Sequence, residues 1–534
     1  MNRKTLVLPA VIGLLAPVLA ACGGADGGSD GGGAIAVGTT DRFIATADAP
    51  APLDPAYAYD VGSWNILRQT VQTLMIQPRG EGEPVPEAAE SCTFTDTGNE
   101  RYVCKLREGL KFADGNPVTA KDVKFSIDRA LAIKADSGVS ALLSTIDTVE
   151  AQGEREVVFH LKTADATFPY KLSTPVAGIV NPADYDKGKL RDGFEVSGSG
   201  PYKLEAKVEN DEMVSAVFTK NAEYKGALTV NNDKAEIRSF KDADAMDAAL
   251  QDGDIDVMSR TLTPEQIKKL SIDPGENVEL IDMPGLEIRY LAFNTDAPGV
   301  KDKAVRQAMA QVVNRSELVS KVYGSQAEPL YSLVPATITG HSNSFFNEYG
   351  DPSTDKAESL LAKADVTTPV KLTLHYTTDH YGAATKQEFE VLQKQLNASG
   401  LFDVTIKGTP WDSFVPAQRK GSYEVWGMGW FPDFPDADNY LAPFLDDDNF
   451  LKSPYANSVI RNTLIPASRR EPDRGSAATS LTEIQDIVAE DVPVLPLWQG
   501  KQYVAARDDI TGTAYVLNSS STLQLWELGR GVSG

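Results

Sequence analysis

Cysteine and histidine are scarce in this 534-residue chain, with three of the former and four of the latter. The histidines are His160, His341, His375 and His380, and the one close pair is five residues apart. That spacing misses the H-E-x-x-H pattern that sets two metal ligands on one helical face. No G-x-S-x-G elbow offers a serine nucleophile and no P-loop offers a phosphate cradle. Gly198-Ser199-Gly200-Pro201 lacks the third glycine and the helix start of a dinucleotide fingerprint, and reads as a tight inter-domain turn. Asp446-Asp447-Asp448 could hold calcium, but an acidic loop on a solvated surface is the preferred reading. With no nucleophile, base or metal set in view, the sequence predicts no catalytic residues, no metal site and no cofactor.

Positive charge is also in deficit: 51 Lys and Arg stand against 75 Asp and Glu, a net charge of −24. A surface of this sign repels nucleic acid. It could favour a cationic ligand, although solubility alone accounts for it. Long apolar runs are limited to Leu6 through Ala20, preceded by Arg3 and Lys4 and ending in Leu19-Ala20-Ala21-Cys22. The run is about 15 residues, short of the ~20 that span a bilayer. The pattern predicts a signal peptide over residues 1–21 with a lipobox, Cys22 carrying the lipid; the alternatives are an ordinary secretory signal with a chance cysteine or a short membrane helix. Loss of Arg3 and Lys4 with the leader lowers the charge by two, to −26. From Gly23 to Ala34 the chain is almost entirely Gly, Ser, Asp and Ala. It is read, with Cys22, as a flexible tether over 22–37, spanning ~20 Å if it behaves as free coil.

What remains is enough for two or three packed units. With Cys22 assigned to lipid, Cys92 and Cys104 form a pair. Cys92-Thr93-Phe94-Thr95 and Tyr102-Val103-Cys104 flank the turn-forming Asp96-Thr97-Gly98-Asn99, which predicts a hairpin closed by a cross-strand disulfide. Metal ligation by two isolated thiols is the weaker option. Elsewhere strand-like and helix-like segments alternate, the grammar of an α/β protein. Thr119-Ala120-Lys121-Asp122 and Thr263-Pro264-Glu265-Gln266 open helices with capping-box patterns. Val305, Ala308, Met309, Val312 and Val313 share a helical face. A strand over 370–376, a helix over 383–398 and a strand at 404–406 follow.

The segment from Trp411 to Tyr440 holds three of the chain's six tryptophans, Trp411, Trp426 and Trp430. Phe431, Phe434 and the acids Asp433, Asp436 and Asp438 lie among them. Rigid aromatic faces with a carboxylate between them suit a ligand that carries a cation. The competing reading, a lobe core, holds for some of these rings.

At this point the chain resembles a known family, the extracytoplasmic solute-binding proteins of family 5, the oligopeptide, dipeptide and nickel binding group. The resemblance rests on Leu53-Asp54-Pro55-Ala56, Pro84 to Ser91, Leu106 to Phe112, Asp114-Gly115, Thr119 to Val123, Gly198 to Tyr202, Leu291 to Thr295, Val305 to Ala308 and Gly429-Trp430, in order and at family spacing. It implies a two-lobed periplasmic-binding-protein-like α/β fold with an additional subdomain inserted in the first lobe. Lobe I is expected over 38–75, 197–288 and 500–534, the inserted subdomain over 76–196 and lobe II over 289–499, with crossings near Arg289 to Asn294 and Leu495 to Gln499. It further implies a monomeric lipoprotein on the outer face of the cell membrane that captures a small solute, in particular a peptide-like amine, and delivers it to an ABC permease and its ATPase. By resemblance Asp433 holds the ligand's ammonium, Trp411 and Trp430 are pocket walls, and Tyr59 reaches in from the first lobe; Trp426 joins them as a candidate from the aromatic segment. Arginines that some oligopeptide binders carry before Gly-Trp are here Gln418 and Gly427, which leaves the receiver of a peptide carboxylate open. A lipid-anchored sensor without transport, a binder of sugars or metal complexes, and an unrecognised secreted hydrolase are the alternatives.

Overall fold

The structure, a computed structural model, describes residues 33–531 apart from 48, 80, 81, 261 and 448. The leader, Cys22 and nearly all of the glycine-rich segment lie outside these residues.

One sheet gathers strands from both ends of the chain and its middle. Its order is Val278–Met283, Gln502–Arg507, Val257–Ser259, Ile35–Thr39, Lys234–Ser239, Glu212–Lys220 and Phe43–Ile44, with Tyr202–Glu209 also paired to Glu212–Lys220. Ile35–Thr39 is buried along its length and runs parallel to both Lys234–Ser239 and Val257–Ser259. This corrects the tether boundary at 37. A parallel strand buried on both faces has no alternation to betray it, so a short Ile-Ala-Val run beside glycines looked like linker.

A four-stranded antiparallel sheet, Ala89–Phe94, Arg101–Leu106, Glu156–Leu161 and Ile146–Gln152, packs with the helix Ala120–Ile133. The hairpin forms as the sequence suggests: Cys92 pairs with Cys104 across it and the two sulfurs are bonded. The capping box of Thr119 and Asp122 is made, and so is that of Thr263 and Gln266 on the helix Pro264–Ile272. The core of this four-stranded layer is continuous with that of the first sheet, joining Val37 and Ala235 to Phe159 and Phe168.

The motif Leu53-Asp54-Pro55-Ala56 owes its acid to a salt bridge. Arg129, on the Ala120–Ile133 helix, donates two hydrogen bonds to Asp54, of 2.7 and 2.6 Å, with both residues buried. Desolvating two charges is tolerated because Ala56 N–H and Arg191 N–H fill the remaining carboxylate positions. Gly198 and Gly200 are not explained by a turn alone. A Cβ at either would collide with the backbone of Thr70, so this loop is glycine-rich in order to lie flat against the end of the helix Val61–Thr70.

The third sheet has six strands in the order Ala327–Pro329, Val494–Gly500, Ile288–Phe293, Val425–Trp430, Val370–Thr377 and Phe402–Thr409. Its core runs from Leu286 to Trp498 and, among the described residues, draws on none outside that interval. The helix Lys303–Val312 buries the apolar face read from sequence, and the helix Ala384–Ala398 forms where one was expected. Arg289 to Asn294 and Leu495 to Gln499 belong to neighbouring strands of this sheet. The chain leaves the first sheet for the third at 284–287 and returns at 501, between Val494–Gly500 and Gln502–Arg507.

Candidate ligand cleft

Ligands of open α/β sheets bind beyond the carboxyl ends of parallel strands. In the six-stranded sheet Val370–Thr377 is parallel to both Phe402–Thr409 and Val425–Trp430. The residues that follow these three strands are His380 and Tyr381, then Trp411, then Phe431 and Asp433. In the first sheet the parallel strands Ile35–Thr39 and Val257–Ser259 are followed by Asp41 and Arg260. The two sets meet: the Arg260 guanidinium lies 5.6 Å from the Phe431 ring centroid, and Tyr59 donates its hydroxyl to Asp433 Oδ2 at 3.2 Å. Tyr170 stacks on Phe434 at 5.7 Å, so the lobes are in contact around the cleft.

Of the three acids in the aromatic segment, two are spent on structure. Arg474 binds Asp436 through two hydrogen bonds of 2.7 and 3.0 Å. Arg469 binds Asp438 likewise at 2.9 and 3.2 Å. Asp433 has only neutral donors, Tyr59 and the Asn439 amide at 2.9 Å, while its own N–H donates to Asn439 Oδ1 at 2.8 Å. Burial pushes its carboxyl up to about 6, against the opposing pull of Asn439, Tyr59 and the charge of Arg68. Arg68 is in turn lowered to about 10 by burial, with Asp433 acting the other way. The Tyr59 hydroxyl is driven well above its usual value by burial and by Asp433.

Trp411 is half-buried and stacks on His380 with centroids 3.7 Å apart and planes 4° off parallel. The Trp411 backbone N–H donates to Asp379 Oδ1 at 2.8 Å. His380 is still reached by water, yet protein surrounds it on enough sides that burial, helped by Arg289 and Arg260, lowers it to about 4. Trp430 is 6% exposed, wedged edge-on against Phe444 and Phe450, and its indole N–H has no partner. Trp426 does not reach the cleft. It is 2% exposed, sits opposite Ala292 in the sheet, and lies four residues, or about 13 Å along the strand, behind Trp430. It is a core residue, on a strand buried along its whole length.

Gln418 and Gly427 are structural too. Gln418 caps Leu451 O at 2.6 Å, and a Cβ on Gly427 would collide with Phe389. Sequence reasoning missed Arg68, Arg260, Arg289, His380, Tyr381 and Asn439. The positions after the parallel strands were a usable signal for His380, Tyr381 and Arg260; nothing local marked Arg68. A cavity of about 360 Å3 beside Tyr59, Asp60 and Ser63 falls within ligand-pocket size, but its lining comes from the first lobe alone. Among the described residues no cluster of His, Cys, Asp and Glu could hold a metal ion, and no helix is long and apolar enough to cross a membrane.

Two lobes of α/β structure facing across a cleft of aromatic and ionic side chains define a periplasmic-binding-protein-like receptor for small solutes. The chain belongs to the bacterial extracellular solute-binding proteins, family 5, whose middle-region model matches residues 83–452. It is 24% identical to the dipeptide-binding protein DppE of Bacillus subtilis over 497 residues, 88% of each chain. It is 27% identical to the glutathione-binding protein GsiB of Shigella dysenteriae over 484 residues, 88% of this chain and 91% of that one. The fold matches that of CtaP, an ABC transporter substrate-binding protein of Listeria monocytogenes, with a TM-score of 0.78 at 23% identity, covering 93% of this chain and 99% of that one. The role of the chain is solute binding.

Proposed function

We propose that this protein is the lipid-anchored receptor of an ABC importer, enclosing a peptide or peptide-like amine between its lobes and presenting it to a permease. The observation that carries this reading is Asp433. It is a buried carboxylate left without a cationic partner in contact, while Asp436 and Asp438 beside it are each clasped by an arginine. A ligand ammonium would supply the missing charge, and Trp411 and Trp430 would supply apolar walls. Tyr59 contacts Asp433 only when the lobes meet, so a ligand bound there favours the closed form, a population shift that the permease can read. Residues 289–499 form lobe II in this reading. Lobe I then comprises the first sheet, with 76–196 as its inserted subdomain. Acylation of Cys22 would hold the body at the membrane as a monomer.

Native mass spectrometry of the protein purified from its own cells tests the ligand class. An amine-bearing small molecule is the expected companion; a neutral sugar or a metal complex sinks the peptide reading. Fractionation of Cys22→Ser tests the anchor, since a coil tether alone has no affinity for lipid: the variant should leave the membrane fraction.

A further inference from the structure

Arg260 has more donors than the structure uses. It directly follows the parallel strand Val257–Ser259 and has a φ of 57°, a left-handed backbone that a side chain of this size rarely adopts. Such strain in a non-glycine residue collects at ligand clamps and switch regions. Its Nη1 is buried with no hydrogen-bond partner. Nη2 reaches Asp41 Oδ1 only at 3.4 Å, and the other Asp41 oxygen already accepts from Thr39 Oγ1 at 3.0 Å. The neighbouring cation, Arg289, lies 5.7 Å from the same Phe431 ring centroid, but it is ion-paired to Glu287 and packed where a Cβ on Gly429 would stand. Arg289 Nη1 also lacks a well-formed hydrogen bond, but it lies against Glu287, and Arg68 donates to Ser173 O. Arg260 differs in meeting its carboxylate, Asp41, only at 3.4 Å, which leaves its forked donor face unfilled. A guanidinium in that state matches a carboxylate in shape and charge.

We propose that Arg260 receives a carboxylate of the bound solute, opposite the ammonium held at Asp433. The inference rests on the peptide-like reading of the cleft and narrows it to a short zwitterion. Arg260 covers Phe431, which stands two residues before Asp433. The Cα atoms of 431 and 433 are at most about 7 Å apart, so the two poles are set for a ligand of a few residues. Asp41 orients the guanidinium without occupying it. Arg260 supplies from the first lobe the anion contact that Gln418 and Gly427 do not make from the second.

The test uses the full chain in mild detergent and two synthetic pools of di- to pentapeptides, one with free carboxyl ends and one amidated, with retained peptides counted by native mass spectrometry. Wild type should retain free acids over amides by about tenfold or more, one charge-assisted contact. Arg260→Met should erase that preference while still retaining amides, and Arg260→Lys should keep part of it. Equal retention of both pools by wild type, or an intact preference in Arg260→Met, overturns the role of Arg260 and leaves the peptide reading standing. Capture of neither pool by wild type overturns both. Should Arg260→Met melt early, Asp41→Asn frees Nη2 while keeping the arginine: its preference for free acids should hold or rise, and its loss overturns the assignment.

Discussion

Two buried aspartates, Asp165 in the subdomain under the four-stranded sheet and Asp433 at the cleft, show how one residue type is partnered in two ways, by a cation of the fold in one region and by neutral groups alone in the other. Asp165 is fully buried and accepts from Lys171 Nζ at 2.6 Å, Thr167 Oγ1 at 2.6 Å and Thr145 Oγ1 at 2.8 Å. Burial works to raise its carboxyl, but Lys171 and Arg469 outweigh it and hold the group down at about 2. Asp433 is also buried, though 9% exposed, but its contacts are a phenol and an amide, and burial wins, at about 6. A charge given an ionic partner within the fold is a strut. A charge given only neutral partners has room for a cation, and the proposed function rests on that room.

The comparison breaks most sharply at the ion pair. Lys171→Met leaves Asp165 buried without its ammonium and should cost about 3–5 kcal/mol of stability, read by denaturant unfolding, with little effect on ligand affinity in whatever fraction stays folded. Asp433→Asn should do the reverse. Affinity for an amine ligand should fall by tens to thousands of fold, the ~2–5 kcal/mol expected when one partner of a buried charge pair is truncated. The unliganded melting temperature at neutral pH should hold or rise, since a neutral amide avoids the cost of an ionised carboxylate there. Calorimetric titration decides it, and equal affinities would remove Asp433 from the site.

A third change acts on the same subdomain as Asp165. Replacing Cys92 and Cys104 together with alanine should cost about 2–3 kcal/mol, since the bridge closes a loop of only 12 residues. Ligand affinity should be untouched; a matching loss of affinity would show that hairpin and cleft are coupled.

The smallest effect is in pH. For Asp165, with its folded value at about 2, the stabilising contribution is present above the ordinary ~3.9 of an aspartate and is lost as pH falls through about 2. For Asp433 the sign is opposite: its contribution to folding is present below ~3.9 and is lost as pH rises through about 6. Binding of an ammonium needs the ionised form, so affinity for an amine should weaken by up to about tenfold per pH unit below about 6, or ~1.4 kcal/mol each. The slope should flatten in Asp433→Asn. A wild-type titration that is flat from pH 7.5 to 5 would place the ligand's positive charge elsewhere.

Much of this architecture was legible in the chain. The capping boxes at Thr119 and Thr263, the helical face from Val305 to Val313, the alternation over 370–376 and the cysteine hairpin are decided by residues a few positions apart. Local geometry alone suffices for them. Strand Ile35–Thr39 escaped because burial on both faces erases alternation. Of the aromatic cluster, Trp411 is half-buried beside His380, while Trp426 and Trp430, on one strand face, are both buried in the core of the six-stranded sheet.

By itself the sequence determined the α/β grammar, the disulfide hairpin, the resemblance to family 5 and the crowding of aromatics and acids between Trp411 and Tyr440. Only the tertiary structure decided which of those acids are paired with arginine and which is not. The arginines that neutralise Asp438 and Asp436 lie 31 and 38 residues downstream. The tyrosine that meets Asp433 lies 374 residues upstream. Charge compensation in a low-dielectric interior depends on which groups the fold brings within a few ångströms, and no local pattern around Asp433 carries that information.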